Sequence, residues 1–505
     1  MDSPLVIRAD ASPRIGTGHV MRCLALAQAW QESVGAPVHL VCGDLPDTLA
    51  SRVAAEGFTV HRIAAPPGSR EDAELTLRIA VAVGGRAPER WVVTDGYAFD
   101  LDYQRAVRAA GFRLLAIDDY NHLPVYECDV LFNQNISAAA YPYVVNDDAC
   151  LLLGPRYALL RREFVAAEPP ARHFDSSARN LLITLGGADP DNITARLLGF
   201  LAAHRGLGFT TRVLLGGGNA HRPALEAWLR REAVPGVELI VDARNMPELM
   251  AWADVAVSAG GSTCWELCRM GVPFLVLVLA ENQRRIADTL DAEQVARQLG
   301  WGRHLGETDF IGALQSLRDN GAARMRCSRA GRALVDGQGC ARVVDALARP
   351  ALRMRDVTID DARLLFEWAN DADTRAASFS SAAIVWESHQ RWLAQRLANP
   401  RVHQYIADAD GQPVAVVRFD PDENEAVISV ALSPAQRGRG LGAIVIEAGV
   451  ARYAERTGCR RIRALIKPEN QRSLRAFQRA GFVRVGETQV QGASALLLAW
   501  EAGRV

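Results

Sequence analysis

The first third of the chain alternates short runs of apolar, β-branched residues with longer segments in which apolar and polar residues recur at helical spacing. The apolar runs are "PLVIRA", "PVHLVC", "FTVHRI", "RWVVTD", "FRLLAID" and "VLFNQ". Strands separated by helical stretches are typical of βαβ units, whose parallel sheet is covered by helices on both faces. The pattern predicts a doubly wound, Rossmann-like α/β lobe over residues 1–165.

A second series of the same kind follows a polar, proline-bearing connector at 164–179, "FVAAEPPARHFDSSAR". Its apolar runs are "NLLITLGG", "TTRVLLGGGN", "VELIVDA", "DVAVSAGG" and "VPFLVLVL", with glycines at several strand ends. We predict a second Rossmann-like lobe over 166–348, with a ligand in the cleft between the lobes. The pattern changes near Arg349, and 351–505 is predicted to be a third domain with a different, α+β fold.

Composition narrows the classes of partner. The 505 residues carry a formal net charge of -1, and the arginines are scattered, so nothing indicates nucleic acid or an anionic membrane. The longest apolar run, Val272–Ala280, is too short to span a bilayer, and the start of the chain lacks the pattern of a signal peptide. Nine separate cysteines suit a reducing, cytoplasmic setting. Cys264 and Cys268 lie one helical turn apart, but no ligand partners follow, and no metal is predicted.

The second lobe contains a candidate nucleotide site. Strand "DVAVSA" runs into Gly260 and Gly261, and a predicted helix then begins with Ser262, Thr263 and Glu266. Glycines at a helix N-terminus let backbone N–H groups approach phosphate, hydroxyls add donors, and the carboxylate can accept both ribose hydroxyls. The alternative is a plain helix cap with a capping box.

These residues carry a family resemblance. The Gly-Gly-Ser-Thr-x-x-Glu block and the later "ENQ" resemble the donor-nucleotide lobe of GT-B enzymes that use UDP-sugars. With the opening "RADASPRIGTGHVMRCLALA", residues 5–345 are similar to the UDP-2,4-diacetamido-2,4,6-trideoxy-β-L-altropyranose hydrolases of pseudaminic acid synthesis. The other motifs that carry this resemblance are "TDGY", "IDDY" and "LGGADPDN". The resemblance implies that UDP binds the second lobe through Met246, Gly261, Ser262, Thr263 and Glu266, with Met246 near the base through its backbone.

By the same resemblance the sugar points toward the loop that holds Gly16, Gly18 and His19. A neutral imidazole can take a proton from water, so His19 is the predicted base for attack at the anomeric carbon with release of UDP and inversion. The alternative is that His19 caps or packs against the first helix. Secondary candidates for orienting the sugar or water are Asp10, Gly18, Tyr97 and Asn282.

Several alternatives stay open for the first lobe. Arg14 and Arg22 are interpreted as surface or sugar-contact residues without assigned chemistry, and His122 is interpreted, with four other histidines, as structural. An acceptor hydroxyl in place of water would make the same apparatus a glycosyltransferase. That enzyme could be fused to a protein or small-molecule N-acetyltransferase.

The third domain contains a second phosphate-binding pattern. A predicted strand ends at Pro434, and "RGRGLG" then opens a helix. Together with "NQRSLRAFQRAGF", this matches the signature of the GNAT acetyltransferases. The resemblance implies acetyl-CoA as co-substrate, with its pyrophosphate on the loop and helix N-terminus. The implied binding residues are Arg437, Gly438, Arg439, Gly440, Gly442, Asn470 and Ser473.

Phe477 stands where many GNAT enzymes have a tyrosine, and a phenyl ring cannot donate a proton to the leaving thiolate. Glu425 and His389 are the candidate bases, and a solvated strand-end charge is the alternative for Glu425. The start of the domain resembles the acetyltransferase that acts on the 4-amine of UDP-4-amino-4,6-dideoxy-N-acetyl-β-L-altrosamine. Its product would be the hydrolase substrate. The remaining alternative is an acetyl-CoA-binding module that regulates the hydrolase without turnover.

Overall fold

The computed structural model describes residues 3–12, 15–84, 90–146, 149–187, 189–232, 235–349, 352–409, 411–423, 425–438 and 440–502. The chain divides into two compact units, Met1–Arg349 and Pro350–Val505. Arg14 and Arg439, which the sequence analysis considered, lie outside the described residues.

The first unit begins with a seven-stranded parallel sheet in the order β3-β2-β1-β4-β5-β6-β7. Its strands are β1 Leu5–Ala9, β2 Val38–Cys42, β3 Thr59–Arg62, β4 Trp91–Asp95, β5 Arg113–Ile117, β6 Val130–Asn133 and β7 Cys150–Leu153. Its helices are α1 Gly18–Val34, α2 Asp47–Ala55, α3 Arg70–Ala82, α4 Leu101–Ala109 and α5 Arg162–Ala166. The central strands are buried along their whole length because helices cover both faces.

The second sheet of this unit has six parallel strands in the order β10-β9-β8-β11-β12-β13. Its strands are β8 Asn180–Thr184, β9 Thr210–Leu215, β10 Val237–Val241, β11 Val255–Ala259, β12 Phe274–Val278 and β13 Arg297–Trp301. Its helices are α6 Ile193–Ala203, α7 Arg222–Glu232, α8 Met246–Trp252, α9 Thr263–Met270, α10 Glu281–Ala292, α11 Glu307–Asp319 and α12 Gly321–Leu334.

The last helix of the unit, α13 Gly339–Ala348, follows the second sheet in sequence but packs in the core of the first. Its Cys340, Val343 and Leu347 side chains are buried against α1 and neighbouring strands. The indole N–H of Trp91, on β4, donates to the Leu347 carbonyl at 3.0 Å. The chain therefore returns to the first lobe before it leaves this unit.

The second unit has a mixed seven-stranded sheet in the order β14-β15-β16-β17-β18-β20-β19. Its strands are β14 Leu352–Asp356, β15 His403–Ala409, β16 Gln412–Asp422, β17 Glu425–Leu432, β18 Arg461–Ile466, β19 Val483–Val490 and β20 Ala493–Glu501. Its helices are α14 Ala362–Asn370, α15 Ala372–Ala377, α16 Trp386–Leu397, α17 Leu441–Thr457 and α18 Gln471–Arg479. Among the described strands of this unit, β17 and β18 are the one pair that runs parallel. Two Rossmann-like lobes followed by a GNAT-like α+β domain confirm the predicted fold class.

Candidate active sites

Both sheets of the first unit reverse their strand order at one place, between β1 and β4 and between β8 and β11. In open parallel sheets, ligands bind outside the carboxyl ends of the strands at this point. His19 lies in the first turn of α1, just after the loop that follows β1, and Asp95 is the last residue of β4. The topology therefore brings together two residues that are 76 positions apart.

His19 and Asp95 form a hydrogen-bonded pair, with 2.6 Å between His19 Nδ1 and Asp95 Oδ1. The Asp95 side chain is fully buried, whereas that of His19 is 14% exposed. An ionised carboxylate only accepts hydrogen bonds, so the pair assigns the imidazole proton to Nδ1. Nε2 makes no hydrogen bond to any residue that the structure describes, and it is therefore available to take a proton from water.

Arg22 is the second partner of Asp95, and its burial excludes the surface interpretation of this residue. Its Nε and Nη2 atoms donate to Asp95 at 2.7 and 2.6 Å, and its Nη1 and Nη2 atoms donate to Asp119 at 2.7 and 2.9 Å. Burial alone would raise the pKa of Asp95, but the charges of Arg22 and His19 hold it well below its usual range. The guanidinium thus keeps both carboxylates ionised beside His19.

Tyr97 extends this network to the other lobe. Its hydroxyl donates to Asp119 Oδ2 at 2.7 Å and accepts from Asn282 Nδ2, on α10, at 3.0 Å. Its ring lies 5.3 Å from that of His19 in an edge-to-face arrangement. Burial and the Asp119 charge raise the pKa of Tyr97, so its hydroxyl stays protonated. The structure therefore brings His19, Tyr97 and Asn282 together.

Asp10 is separate from this network and has structural partners. Its Oδ1 atom accepts from Arg8 Nη1 at 2.7 Å and from the backbone N–H groups of Gly43 and Asp44 at 2.7 and 3.1 Å. These bonds tie the end of β1 to the loop after β2. Gly18, in contrast, has open space where a Cβ would lie.

The predicted phosphate residues follow the carboxyl end of β11, which lies next to β8. Gly260 and Gly261 follow β11, and Ser262 precedes α9 without a side-chain cap hydrogen bond. The capping alternative is therefore not realised. The N–H groups of Cys264 and Trp265 donate to the Gly261 and Ser262 carbonyls at 3.0 Å, so only those of Ser262 and Thr263 lack a backbone partner among the described residues at this helix start. Gly187, after β8, has no role in the sequence prediction, yet a Cβ there would lie only 3.3 Å from Thr17 Oγ1 of the first lobe. Glycine thus allows the two lobes to approach at this point.

Glu266 and Met246 lie beside this glycine cluster. Glu266, in the first turn of α9, accepts from Arg161 Nη2 at 2.9 Å through Oε1. Arg161 also donates to Glu163 at 2.6 Å, which fixes the guanidinium. Met246 begins α8, and its side chain packs against the core. Its backbone N–H is one of the groups at a helix start that lack an intrahelical partner.

In the second unit, the loop after β17 carries the predicted acetyl-CoA residues. β17 and β18 pair only from Ala426↔Ile462 to Ile428↔Ala464, although β17 continues to Leu432. Gly438 and Gly440 adopt left-handed conformations, with φ of +77° and +80°, and have open space around them. Glycine is needed at both positions to turn this backbone into α17.

Other predicted residues of this loop have structural partners. Arg437 forms an ion pair with Asp371 at 2.5 Å and donates to Thr374 Oγ1 at 2.7 Å. A Cβ on Gly442 would lie 3.2 Å from the Ala476 side chain, so this glycine lets α18 pack closely on α17.

Asn470 caps α18 by accepting from the Ser473 N–H at 3.1 Å. Its side chain is therefore engaged within the protein. The Ser473 side chain, in the first turn of α18, is partly exposed.

Both candidate bases of the second unit are held by other contacts. Glu425 pairs with Arg461 and Arg463, at 2.9 and 2.8 Å, at the start of β17, whereas the glycine loop follows the end of that strand. His389 is buried, and its Nε2 lies 3.1 Å from the Ala362 carbonyl, to which it donates. Phe477 is buried against Phe482. These contacts give all three residues structural roles.

Across the described residues, no group of three or more His, Cys, Asp or Glu side chains is arranged to hold a metal ion. Cys264 and Cys268 are instead buried in the core of the second lobe. None of the described helices is long and apolar enough to cross a membrane.

Two protein-family models match stretches of the chain, one in each unit. Residues 363–482 match the acetyltransferase (GNAT) family, and residues 225–320 match the C-terminal domain of glycosyltransferase family 28. The GNAT match supports acetyl-CoA as the co-substrate of the second unit. The chain therefore joins a glycosyltransferase-28-like region to a GNAT acetyltransferase domain.

Three curated relatives match different shares of the chain. An uncharacterized protein of Methanocaldococcus jannaschii is 23% identical over 95% of this chain and 96% of its own length. The spore coat polysaccharide biosynthesis protein SpsG of Bacillus subtilis is 28% identical over 46% of this chain and 69% of its own. The UDP-2,4-diacetamido-2,4,6-trideoxy-β-L-altropyranose hydrolase of Campylobacter jejuni is 23% identical over 57% of this chain and 95% of its own.

Solved acetyltransferases match about a third of the chain. Aminoglycoside acetyltransferase AAC(6')-Ib in complex with coenzyme A is 23% identical, with a TM-score of 0.28, over 30% of this chain and 95% of its own. Spermidine N-acetyltransferase from Vibrio cholerae is 14% identical, with the same TM-score, over 30% of this chain and 95% of its own.

Proposed function

We propose that the first unit hydrolyses UDP-2,4-diacetamido-2,4,6-trideoxy-β-L-altropyranose to UDP and the free sugar. The second unit supplies this substrate by acetylating the 4-amine of UDP-4-amino-4,6-dideoxy-N-acetyl-β-L-altrosamine. The observation that carries the proposal is the His19–Asp95 pair, which leaves Nε2 available beside residues of both lobes. The Campylobacter jejuni relative supports the choice of sugar.

Hydrolysis proceeds by attack of water on the anomeric carbon. His19 Nε2 takes the water proton as the new C–O bond forms, and the bond to the phosphate oxygen breaks with its electron pair leaving on UDP. The Asp95 carboxylate holds the ring in place and stabilises the imidazolium that forms. Attack opposite the leaving group inverts the anomeric centre. Tyr97 and Asn282 orient the sugar.

The second lobe binds the leaving group. The hydroxyls and backbone N–H groups of Ser262 and Thr263, at the start of α9, stabilise the diphosphate as its charge grows. Glu266 accepts from the ribose hydroxyls through the oxygen that Arg161 leaves free. The base contacts backbone groups near Met246.

Acetyl transfer requires attack of the neutral sugar amine on the thioester carbonyl. The C–N bond forms, the C–S bond breaks, and the leaving CoA thiolate takes up the proton that the amine releases. The glycine loop at Gly438 and Gly440 binds the CoA pyrophosphate, and the domain holds the two reactants in contact. The nine cysteines, which are spread singly along the chain, fit our proposal that both steps take place in the cytoplasm.

A glycosyltransferase is the second candidate, since residues 225–320 match a glycosyltransferase family. The test is incubation with the UDP-diacetamido sugar in H₂¹⁸O without an acceptor. We expect UDP release with ¹⁸O in the sugar, whereas strict dependence on an acceptor would exclude hydrolysis. His19→Ala should abolish UDP release and leave acetylation intact.

The acetyl-transfer step has its own test. With labelled acetyl-CoA and the UDP-4-amino sugar, we expect mass spectrometry to find the acetylated sugar. Binding of acetyl-CoA without turnover would instead favour a regulatory module. Transfer only to peptide or aminoglycoside amines would exclude this sugar as the substrate.

A further inference from the structure

The loop after β5 is organised by one buried carboxylate. Asp118 accepts from the backbone N–H groups of Asn121 and His122 at 2.6 and 3.3 Å, and from His122 Nδ1 at 2.5 Å. The Tyr126 and Tyr143 hydroxyls donate to the same carboxylate at 2.9 and 2.6 Å. The loop therefore holds a second His–Asp pair, a setting that the sequence pattern around His122 does not indicate.

Two polar atoms of this loop are buried without a partner in the described structure, His122 Nε2 and Asn121 Oδ1. An unsatisfied buried polar atom destabilises a fold, so a pair of them on adjacent residues needs an explanation. Asn121 also has a left-handed backbone, with φ of +58°, a conformation that asparagine adopts more readily than other non-glycine residues. The unfavourable feature of this loop is therefore its two unpartnered polar atoms.

Both unpartnered atoms are hydrogen-bond acceptors. His122 Nδ1 lies against the Asp118 carboxylate, which assigns the proton of the neutral ring to Nδ1 and leaves a lone pair on Nε2. The Asn121 oxygen is an acceptor by its chemistry. A ligand that satisfies both atoms must present two N–H or O–H donors.

The loop lies beside the proposed hydrolysis site. The His122 ring is 5.6 Å from the Tyr97 ring, and the Tyr97 ring is 5.3 Å from that of His19. Tyr120 lies 5.0 Å from Tyr97, and these two rings are among the few large exposed aromatic side chains. Aromatic faces beside polar acceptors are suited to a sugar with apolar substituents.

We propose that Asn121 and His122 form the subsite that recognises the N-acylated side of the sugar. This inference rests on the proposed hydrolase function. His122 Nε2 and Asn121 Oδ1 accept from an amide N–H and a neighbouring N–H or O–H of the diacetamido sugar, and the acyl methyl groups lie against Tyr97 and Tyr120. The exposed Tyr120 ring, 5.9 Å from His122, turns aside to admit the ligand. Both acceptor residues position the sugar and take no part in proton transfer.

The test measures affinity without turnover, in full-length protein that carries His19→Ala. Calorimetry gives the Kd of the UDP-diacetamido sugar and of UDP alone. Adding His122→Leu should weaken sugar-nucleotide binding about tenfold, the size of one lost hydrogen bond, and leave UDP binding unchanged. Adding His122→Gln, whose oxygen can replace the Nε2 acceptor, should recover most of the affinity. If His122 had a structural role alone, the substitution would change the Kd of UDP and of the sugar nucleotide by the same factor.

A second variant keeps the test valid if the His122→Leu protein does not fold. Asn121→Gly tolerates the left-handed backbone and removes the acceptor, so it should weaken the sugar nucleotide alone. His173→Leu, at an exposed position, is the matched control. Unchanged affinity in both the His122→Leu and Asn121→Gly proteins, or a sugar that adds nothing to the affinity of UDP, would overturn the inference. Failure of the proposed hydrolase function would give a different result, since the wild-type protein would then bind the sugar nucleotide without releasing UDP.

Discussion

At the scale of single residues, Asp95 is the test of the proposed base. Asp95→Asn removes the carboxylate that fixes the proton on His19 Nδ1, so Nε2 no longer reliably presents a lone pair. We expect kcat for UDP release to fall by roughly 10²–10⁴-fold with little change in KM. Steady-state assays of UDP release measure this. Asp72→Asn is the control, because Asp72 is equally buried and binds Arg8 at 2.9 and 2.8 Å outside the network. An equal loss of kcat in both variants would contradict the assignment.

The Asp118 carboxylate predicts how stability changes with pH. Burial opposes ionisation, but the bonds from His122, Tyr143 and the Asn121 N–H lower its pKa from 3.8 to about 2. Since the folded pKa is the lower one, its stabilisation is complete above about pH 4 and is lost as the pH falls toward 2. At pH 6 we expect Asp118→Asn to lower the free energy of unfolding of the first unit by about 2 kcal/mol, and calorimetry should show this as a lower Tm. The difference from wild type should be smaller at pH 3. A deficit independent of pH would contradict this assignment.

At the scale of elements, the sequence predicted where the strands lie, but it did not predict which side chains the residues at the strand ends contact. Parallel strands buried on both faces appear as short apolar runs, and "VPFLVLVL" became β12 for that reason. The Asp95–Arg22–Asp119 network depends on β4 lying next to β1 and on β5 lying next to β4, which local patterns do not encode. The signal that could have suggested it was an acidic residue at or just past the end of two successive strands, in "TDGY" and "IDDY".

The packing of α17 against α18 gives a prediction at the same scale. Gly442→Leu places a side chain where even a Cβ would lie 3.2 Å from Ala476, so the helices must separate. We expect the second unit to lose roughly 1–3 kcal/mol without any ligand present. Thermal unfolding measures the loss, and Gly486→Ala, which has open space and an ordinary φ, is the control. An unchanged Tm with weaker CoA binding would instead assign Gly442 to the cofactor.

At the scale of the whole molecule, each unit contains its own hydrophobic core. Residues of β1, α1 and α13 share one cluster in the first unit, and residues of β16, β17 and α17 share another in the second. The matching M. jannaschii relative extends over almost the entire chain, so the two units also occur together elsewhere. Because the cores are separate, we expect that a substitution in one unit can abolish its proposed activity, UDP release or acetyl transfer, without affecting that of the other unit.

The position of α13 in the core of the first lobe predicts where a fragment of the first unit must end in order to fold. A fragment of residues 1–349 keeps α13 and should fold and release UDP at a rate close to that of the full chain. A fragment of residues 1–338 lacks Cys340, Val343, Val344 and Leu347, which are at most 4% exposed, and would leave a cavity along α1 and Trp91. Removing several buried side chains costs more than the total stability of a typical domain, so this shorter fragment should be insoluble or unfolded. Circular dichroism and the UDP-release assay distinguish the two. A folded, active 1–338 fragment would show that α13 is dispensable to the first lobe, despite its position in the core.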